Sequence, residues 1–186
     1  MARLARANRL TSRFHEELSD AEVYAFNATA IRQGLAQRFA KRDTPYGQYL
    51  RVGSRFGRNV RAALRKRKDQ HWENTVFFGY DTGFFEAAAW AKNRGAACVV
   101  GQMDPARTEV EMVREEEKLW PGWAKKPLIV PDEYFLWRQS EWALADIVMV
   151  NSRWTHDALL KQGVPASKLA IVPLAYEVDE TKVLEP

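Results

Sequence analysis

The chain has 186 residues and a mass of 21.4 kDa, with 46% hydrophobic and 28% charged residues. That length and balance can bury a core, which excludes wholesale disorder. A single cysteine, Cys98, excludes a disulfide framework and a cysteine-built metal site, and its setting in "AACVV" marks a buried thiol. No run approaches the roughly 20 apolar residues that cross a bilayer, and "MARLARANRL" is basic without an apolar stretch behind it, so a cytoplasmic setting is expected. The net charge of +4 conceals a segregation: residues 1–72 hold 16 Lys and Arg against 6 Asp and Glu, and the remainder 12 against 18. Such segregation marks a surface for phosphates, nucleic acid or anionic lipid, or a solvated helix face.

In chain order, Leu10, Phe14 and Leu18 recur at helical spacing among arginines, which predicts a leading helix over 1–19. "EVYAF" reads as a brief strand, and a second helix follows over 28–41, ending near "RDTPYG", where Pro45 and Gly47 punctuate. From Arg51 to Lys68, Val52, Phe56, Val60 and Leu64 recur every four residues. Arg51, Arg55, Arg58, Arg61, Arg65, Lys66, Arg67 and Lys68 fill the other faces, making this the most basic amphipathic helix of the chain.

Strand and helix then alternate. "TVFFGY", "AACVVG", "DIVMV" and "KLAIV" read as buried strands; "GFFEAAAWAKNRG", "RTEVEMVREEEKL", "DEYFLWRQSEWALA" and "SRWTHDALLKQG" read as helices, the last with Asn151 or Ser152 as N-cap. The alternation predicts an α/β fold, a Rossmann-like three-layer α/β/α arrangement with a mostly parallel sheet, over 20–173, followed by a polar tail at 174–186. Trp90, Trp137 and Trp142 fall where helices pack, while Trp120 and Trp123 flank a Pro-Gly turn and are expected at the surface.

Parallel sheets bind ligands beyond the carboxyl ends of their strands. Three loops here qualify: 79–83 with Tyr80, Asp81 and Thr82; 101–105 with Gln102 and Asp104; and 151–153 with Asn151, Ser152 and Arg153. These eight residues form the candidate cleft edge, although each is also a natural cap or turn residue. There is no Gly-rich phosphate loop after a strand and no zinc signature, so no cofactor or metal is expected. The three histidines are scattered; His156 lies one turn from Ser152.

The stretch "EWALADIVMVNSRWTHDALLKQGVPASKLAIVP", residues 141–173, resembles the end of the N-terminal domain of family 4 glycosyltransferases, retaining enzymes of the GT-B fold. Glu141, Ala145, Asp146, Ser152, Gly163, Val164, Lys168, Val172 and Pro173 match in order, and "FFGYDTGFFEAAAWAKNRGAACVVGQMDP" is similar to the preceding βαβ unit. The resemblance implies hexosyl transfer from a nucleotide-sugar, bound by a C-terminal donor domain in cis or trans, to a carbohydrate or lipid-linked acceptor. It makes this chain the acceptor-side half, inactive alone, with 174–186 as a linker. The sequence departs from the family in three ways. It lacks the first strand with its Gly-rich loop; Gln102 and Asp104 stand where a His is common; and the donor-side pair of glutamates with seven residues between them is missing. That spacing does recur as Glu109 with Glu117 and Glu133 with Glu141, but neither pair follows a strand and Gly-rich turn. The other reading is a non-catalytic module that docks its 51–68 helix on an anionic membrane surface or, second, another polyanion such as nucleic acid.

Overall fold

The computed structural model describes residues 19–39, 44–68 and 70–175. The chain divides into two compact units, 1–41 and 42–186. The leading helix predicted over 1–19 and the tail beyond Ala175 lie outside the described residues.

In the first unit, helix α1 (Asn27–Phe39) forms as the sequence predicts. The strand expected at 22–26 does not form: the segment is irregular, with Val23 and Tyr24 exposed. Strand propensity expresses packing within a sheet more than a preference of the backbone, and the four-stranded sheet does not include this segment.

The second unit opens with α2 (Pro45–Leu64). It starts six residues earlier than the periodicity predicts, because Pro45 and Gly47, read as breakers, sit inside the first turn. Proline at the first helical position loses no hydrogen bond, and Thr44 caps the turn by accepting from Gly47 N–H at 3.1 Å. A short 3₁₀ turn (Trp72–Asn74) leads to β1 (Val76–Tyr80), α3 (Phe85–Lys92), β2 (Ala97–Gln102), α4 (Arg107–Leu119), α5 (Asp132–Leu144), β3 (Ile147–Val150), α6 (Arg153–Lys161), a second 3₁₀ turn (Ala166–Lys168) and β4 (Leu169–Ile171). Gly95 and Gly163, at φ +96° and +91°, stop α3 and α6 in the left-handed conformation that glycine takes freely.

The expected α/β fold with a parallel sheet is the one observed. All strand pairs are parallel, in the order β1-β2-β3-β4, with Phe77 opposite Cys98 and Val100 opposite Val148. Sequential parallel strands joined by right-handed crossovers place their connecting helices on one face. The core agrees: Phe77, Cys98, Val100, Val148 and Val150 alternate onto the same side and pack against Phe84, Ala88, Trp142, Ala145 and Leu159. The other face, expected to carry a further helical layer, exposes Val76 (64%), Phe78 (45%), Tyr80 (58%) and Ile147 (42%) among the described residues. Along β1 only the residues turned towards the helices are sheltered.

α2 packs on α3 by close backbone approach. An added Cβ on Gly53 would fall on the Thr82 carbonyl, far inside van der Waals contact, and one on Gly57 would lie 3.0 Å from Gly83 O. Overpacking of this kind costs about 1–3 kcal/mol. Gly53→Ala is expected to lose that much stability in urea denaturation, because the obstruction is backbone and cannot rotate away.

Candidate functional site

The site grows from α5, whose Tyr134, Arg138, Glu141 and Trp142 follow helical spacing and are all buried. This face lies beneath the loops that leave β1 and β2. Arg138, 1% exposed, is the centre. Its Nη2 donates to both oxygens of Asp104 at 2.8 and 2.7 Å, and its Nη1 pairs with Asp81. One guanidinium therefore ties together two carboxylates from two different strand ends. The Tyr134 ring lies 5.2 Å from the guanidinium carbon, a cation–π contact, and burial pushes the Tyr134 hydroxyl well above its usual pKa.

One turn further along α5, the Glu141 carboxylate accepts hydrogen bonds from Thr82 N–H (2.8 Å), Phe84 N–H (3.2 Å) and Trp137 Nε1–H (3.3 Å). These bonds hold a strained turn: Thr82 has φ +62°, a left-handed conformation costly for a β-branched residue, roughly 1–3 kcal/mol. Gly53 of α2 presses on the same turn from the other side.

Gln102, wholly buried, completes the floor. Its Nε2 donates to Asp104 O at 2.8 Å and its Oε1 accepts from Trp142 Nε1 at 3.0 Å. Asp104 Oδ1 also accepts from Ala106 N–H at 2.8 Å. Ala106 is, after Thr82, the second non-glycine residue at positive φ among the described residues, +51°.

Burial dominates the electrostatics. It raises Asp81 to about 6, against the opposing pull of Arg138, and Glu141 to about 7, against its bond from Thr82 N–H and the same arginine. Arg138 is held charged by Asp81 and Asp104. The Asp104 and Asp81 side chains keep 38% and 17% of their surface open, whereas Arg138 and Glu141 are closed off. What this edge offers a ligand is thus two oriented acceptor carboxylates, backed by a guanidinium that solvent does not reach. Among the described residues, no three His, Cys, Asp or Glu side chains come together as a metal would require.

The predicted cleft-edge residues divide into three groups. Asp81, Thr82, Gln102 and Asp104 converge on α5. Tyr80 turns to the open sheet face, against Phe78 with ring centres 5.3 Å apart, and lines a groove beside β1. Asn151, Ser152 and Arg153 serve α6: Ser152 Oγ accepts from Thr155 N–H (3.2 Å), Asn151 Oδ1 from the Thr155 hydroxyl (3.2 Å), and Arg153 pairs with Asp157 (3.3 Å). His156 likewise meets Asp157, at 2.8 Å. Ser152→Ala should cost about 1 kcal/mol, the value of an N-cap, in thermal or urea unfolding.

The sequence reading missed Arg138 and Tyr134 as site residues. The available signal was their spacing with Glu141 and Trp142 on one face of α5.

Of the basic residues, Arg58 is tied down by Ser54 Oγ (2.7 Å) and Glu86 (3.7 Å), and Arg61 is half-buried. Arg51, Arg55, Arg65, Lys66 and Lys68 are exposed. Beyond the end of α2, Arg65, Arg67 and Lys68 join Arg94, Gln70, Trp72 and Trp90 around a depression of about 360 Å³. Arg94 stacks on Trp90 at 3.8 Å.

Four of the residues that carry the resemblance to the glycosyltransferase domain, Glu141, Asp146, Ser152 and Lys168, have a visible structural task. Glu141 fixes the 82–84 turn, and Ser152 caps α6. Asp146 accepts from Cys98 N–H (2.8 Å) and Lys92 (2.6 Å), and Lys168 Nζ donates to the Trp142, Ala143 and Ala145 carbonyls that close α5. Comparison with known proteins finds no family model, no curated protein and no solved structure that matches the chain. Among the described residues, no helix is long and apolar enough to cross a membrane.

Proposed function

We propose that this chain is the acceptor-side domain of a retaining glycosyltransferase. It would work in the cytoplasm with a GT-B donor domain, supplied in cis or in trans, that binds the nucleotide-sugar. The observation that carries the reading is the 141–173 unit, a β-α-β element in which Glu141, Asp146, Ser152 and Lys168, four of the residues that carry the resemblance, act as structural pins. Asp81 and Asp104 stand beyond the carboxyl ends of β1 and β2, the region where parallel sheets receive ligands. There they would accept hydrogen bonds from acceptor hydroxyls and orient them, while Arg138 holds both carboxylates in place. No residue of this chain is assigned to the transfer chemistry, which needs the donor side.

The test mixes the purified chain with a separately expressed GT-B donor domain, a radiolabelled nucleotide-hexose and a panel of sugar and lipid-linked acceptors. Transfer that needs both proteins, and that falls in Asp104→Asn, supports the reading. Absence of both transfer and association of the two domains would sink it.

A second reading is favoured by the depression beyond α2, where four cations surround two indole rings. It suits phosphate groups of an anionic membrane surface, which would make the protein peripheral there. Sedimentation with phosphatidylserine vesicles at low and high salt decides: pelleting at low salt that is lost in Arg65→Glu/Lys68→Glu supports it, and absence of binding at low salt rejects it.

A further inference from the structure

The sequence "WPGW" dictates the turn that follows α4. Proline and then glycine at the two central positions favour a type II β-turn. The chain forms such a turn: Trp123 N–H donates to Trp120 C=O at 3.2 Å, with Gly122 at φ +91°. Glu117 Oε1 accepts from Leu128 N–H at 2.9 Å, which ties the loop beyond the turn back to α4. Trp120 and Trp123 therefore stand at the two ends of one fixed turn.

With Trp154, near the start of α6, these indoles line a cavity of about 510 Å³. The rest of its lining includes the face of α4 on which Glu109, Met112, Val113 and Glu116 recur at helical spacing. All three indoles are exposed, Trp123 by 87%. A volume of this size is that of a small-molecule site.

Two features give the chemistry of the ligand. The walls are apolar, while each charged side chain that lines the cavity among the described residues is a glutamate: Glu109, Glu116 and Glu117. Arg153, beside Trp154 in sequence, pairs instead with Asp157 at 3.3 Å, and Lys126 lines the neighbouring groove. The second feature is the state of the rings. Elsewhere a guanidinium lies over Trp90 (3.8 Å) and another over Phe135 (4.0 Å), whereas among the described residues no cation lies over Trp120, Trp123 or Trp154.

Indole faces are the best aromatic partners for a cation, and nearby carboxylates add to the attraction. A primary ammonium must replace its water with hydrogen-bond acceptors, and apolar walls supply few. An alkylated ammonium needs none, because its charge lies under methyl groups that pack on indole, Met112 and Val113.

We infer that this cavity binds a small organic cation whose charge is carried by an alkylated ammonium, such as a trimethylammonium head, with no anionic group beside it. A phosphate next to the head, as in a phospholipid, would meet the three glutamates and be repelled. Neither Asp81 nor Asp104 lines the cavity, so the site stands whether or not the chain takes part in glycosyl transfer.

The probe is choline, titrated into the full chain while the indole N–H resonances are followed by NMR and assigned by replacing each tryptophan with phenylalanine in turn. The signals of Trp120, Trp123 and Trp154 should shift together with a dissociation constant of about 1 mM, and that of Trp90 should stay in place. Ethanolamine, the neutral analogue with carbon in place of nitrogen, and phosphocholine should each bind at least about tenfold more weakly. Trp123→Ala should weaken choline about tenfold and Glu116→Gln about threefold. Both replace exposed side chains, so the variants keep the fold. No saturable shift up to roughly 10 mM choline, a shift confined to Trp90, undiminished binding in Trp123→Ala, or binding of any of the three analogues as tight as that of choline would overturn the proposal.

Discussion

Arg138→Met is expected to destabilise the chain by about 3–5 kcal/mol, measured by urea denaturation near neutral pH. Methionine fills much the same volume without charge. The loss therefore comes from leaving Asp81 and Asp104 near one another with their shared cation gone, which is the large term when one member of a buried ion pair is removed. The sign of the double test follows from the same physics. Adding Asp81→Asn and Asp104→Asn to Arg138→Met removes the orphaned charges, and most of the lost stability should return. If the triple variant is as unstable as the single one, packing and not charge is what Arg138 provides. Asp104→Asn alone should cost less than Arg138→Met, because Asp81 still neutralises the guanidinium.

Glu141 is expected to show the second large effect, read through pH. Its folded-state pKa, about 7, and that of Asp81, about 6, both lie above the ordinary carboxylate range. Between about pH 4 and pH 7 the folded chain therefore binds more protons than the unfolded one, and stability must fall as pH rises through that window. The denaturation midpoint should drop from pH 5 to pH 8, by an amount on the order of 2 kcal/mol for each group. Glu141→Gln should flatten the slope: the amide keeps an acceptor for Thr82 N–H at every pH and never charges. Glu141→Ala instead strands the Thr82 and Phe84 N–H groups and should cost about 2–4 kcal/mol at pH 5. A midpoint that rises towards pH 8 would reverse the assignment of burial as the dominant influence on these carboxyls.

The elements most legible in the sequence were those whose own pattern decides them. α4 runs from Arg107 to Leu119, the stretch that periodicity marks out, and Cys98, Trp142, Trp120 and Trp123 are buried or exposed as their neighbours imply. Misreadings occurred where the outcome depends on a distant partner. The 22–26 segment has strand-forming residues but is not taken into the sheet. "TVFFGY" reads as covered on both faces, yet half of it is exposed, since the apolar run cannot say whether a second layer arrives. Pro45 reads as a stop and acts as a start, because only the missing donor matters at the first helical position. Arg138 is the clearest case. In "YFLWRQSEW" an arginine looks like a surface residue; its burial depends on two carboxylates that lie 57 and 34 positions earlier in the chain. For the cleft edge, the loops were legible from the strand ends, but which members meet was not. Asp81 and Asp104 converge and Asn151 to Arg153 stay with α6, a difference set by where α5 crosses.

Cys98 gives the sheet a reporter of its own opening. The thiol is fully buried in β2, lies 3.6 Å from Ala88 O, and is pushed above its ordinary pKa by burial. It is also the sole cysteine of the chain. A thiol reagent can reach it only when α3 lifts from β2 or the whole unit unfolds, so the rate of modification in native buffer measures how often that happens. Labelling that tracks global stability across denaturant would show that α3 and the central strands part only together. Faster labelling would reveal a partial opening confined to the α3 side. The same handle can rank Gly53→Ala, Glu141→Ala and Arg138→Met by the openings each one promotes, without melting the protein.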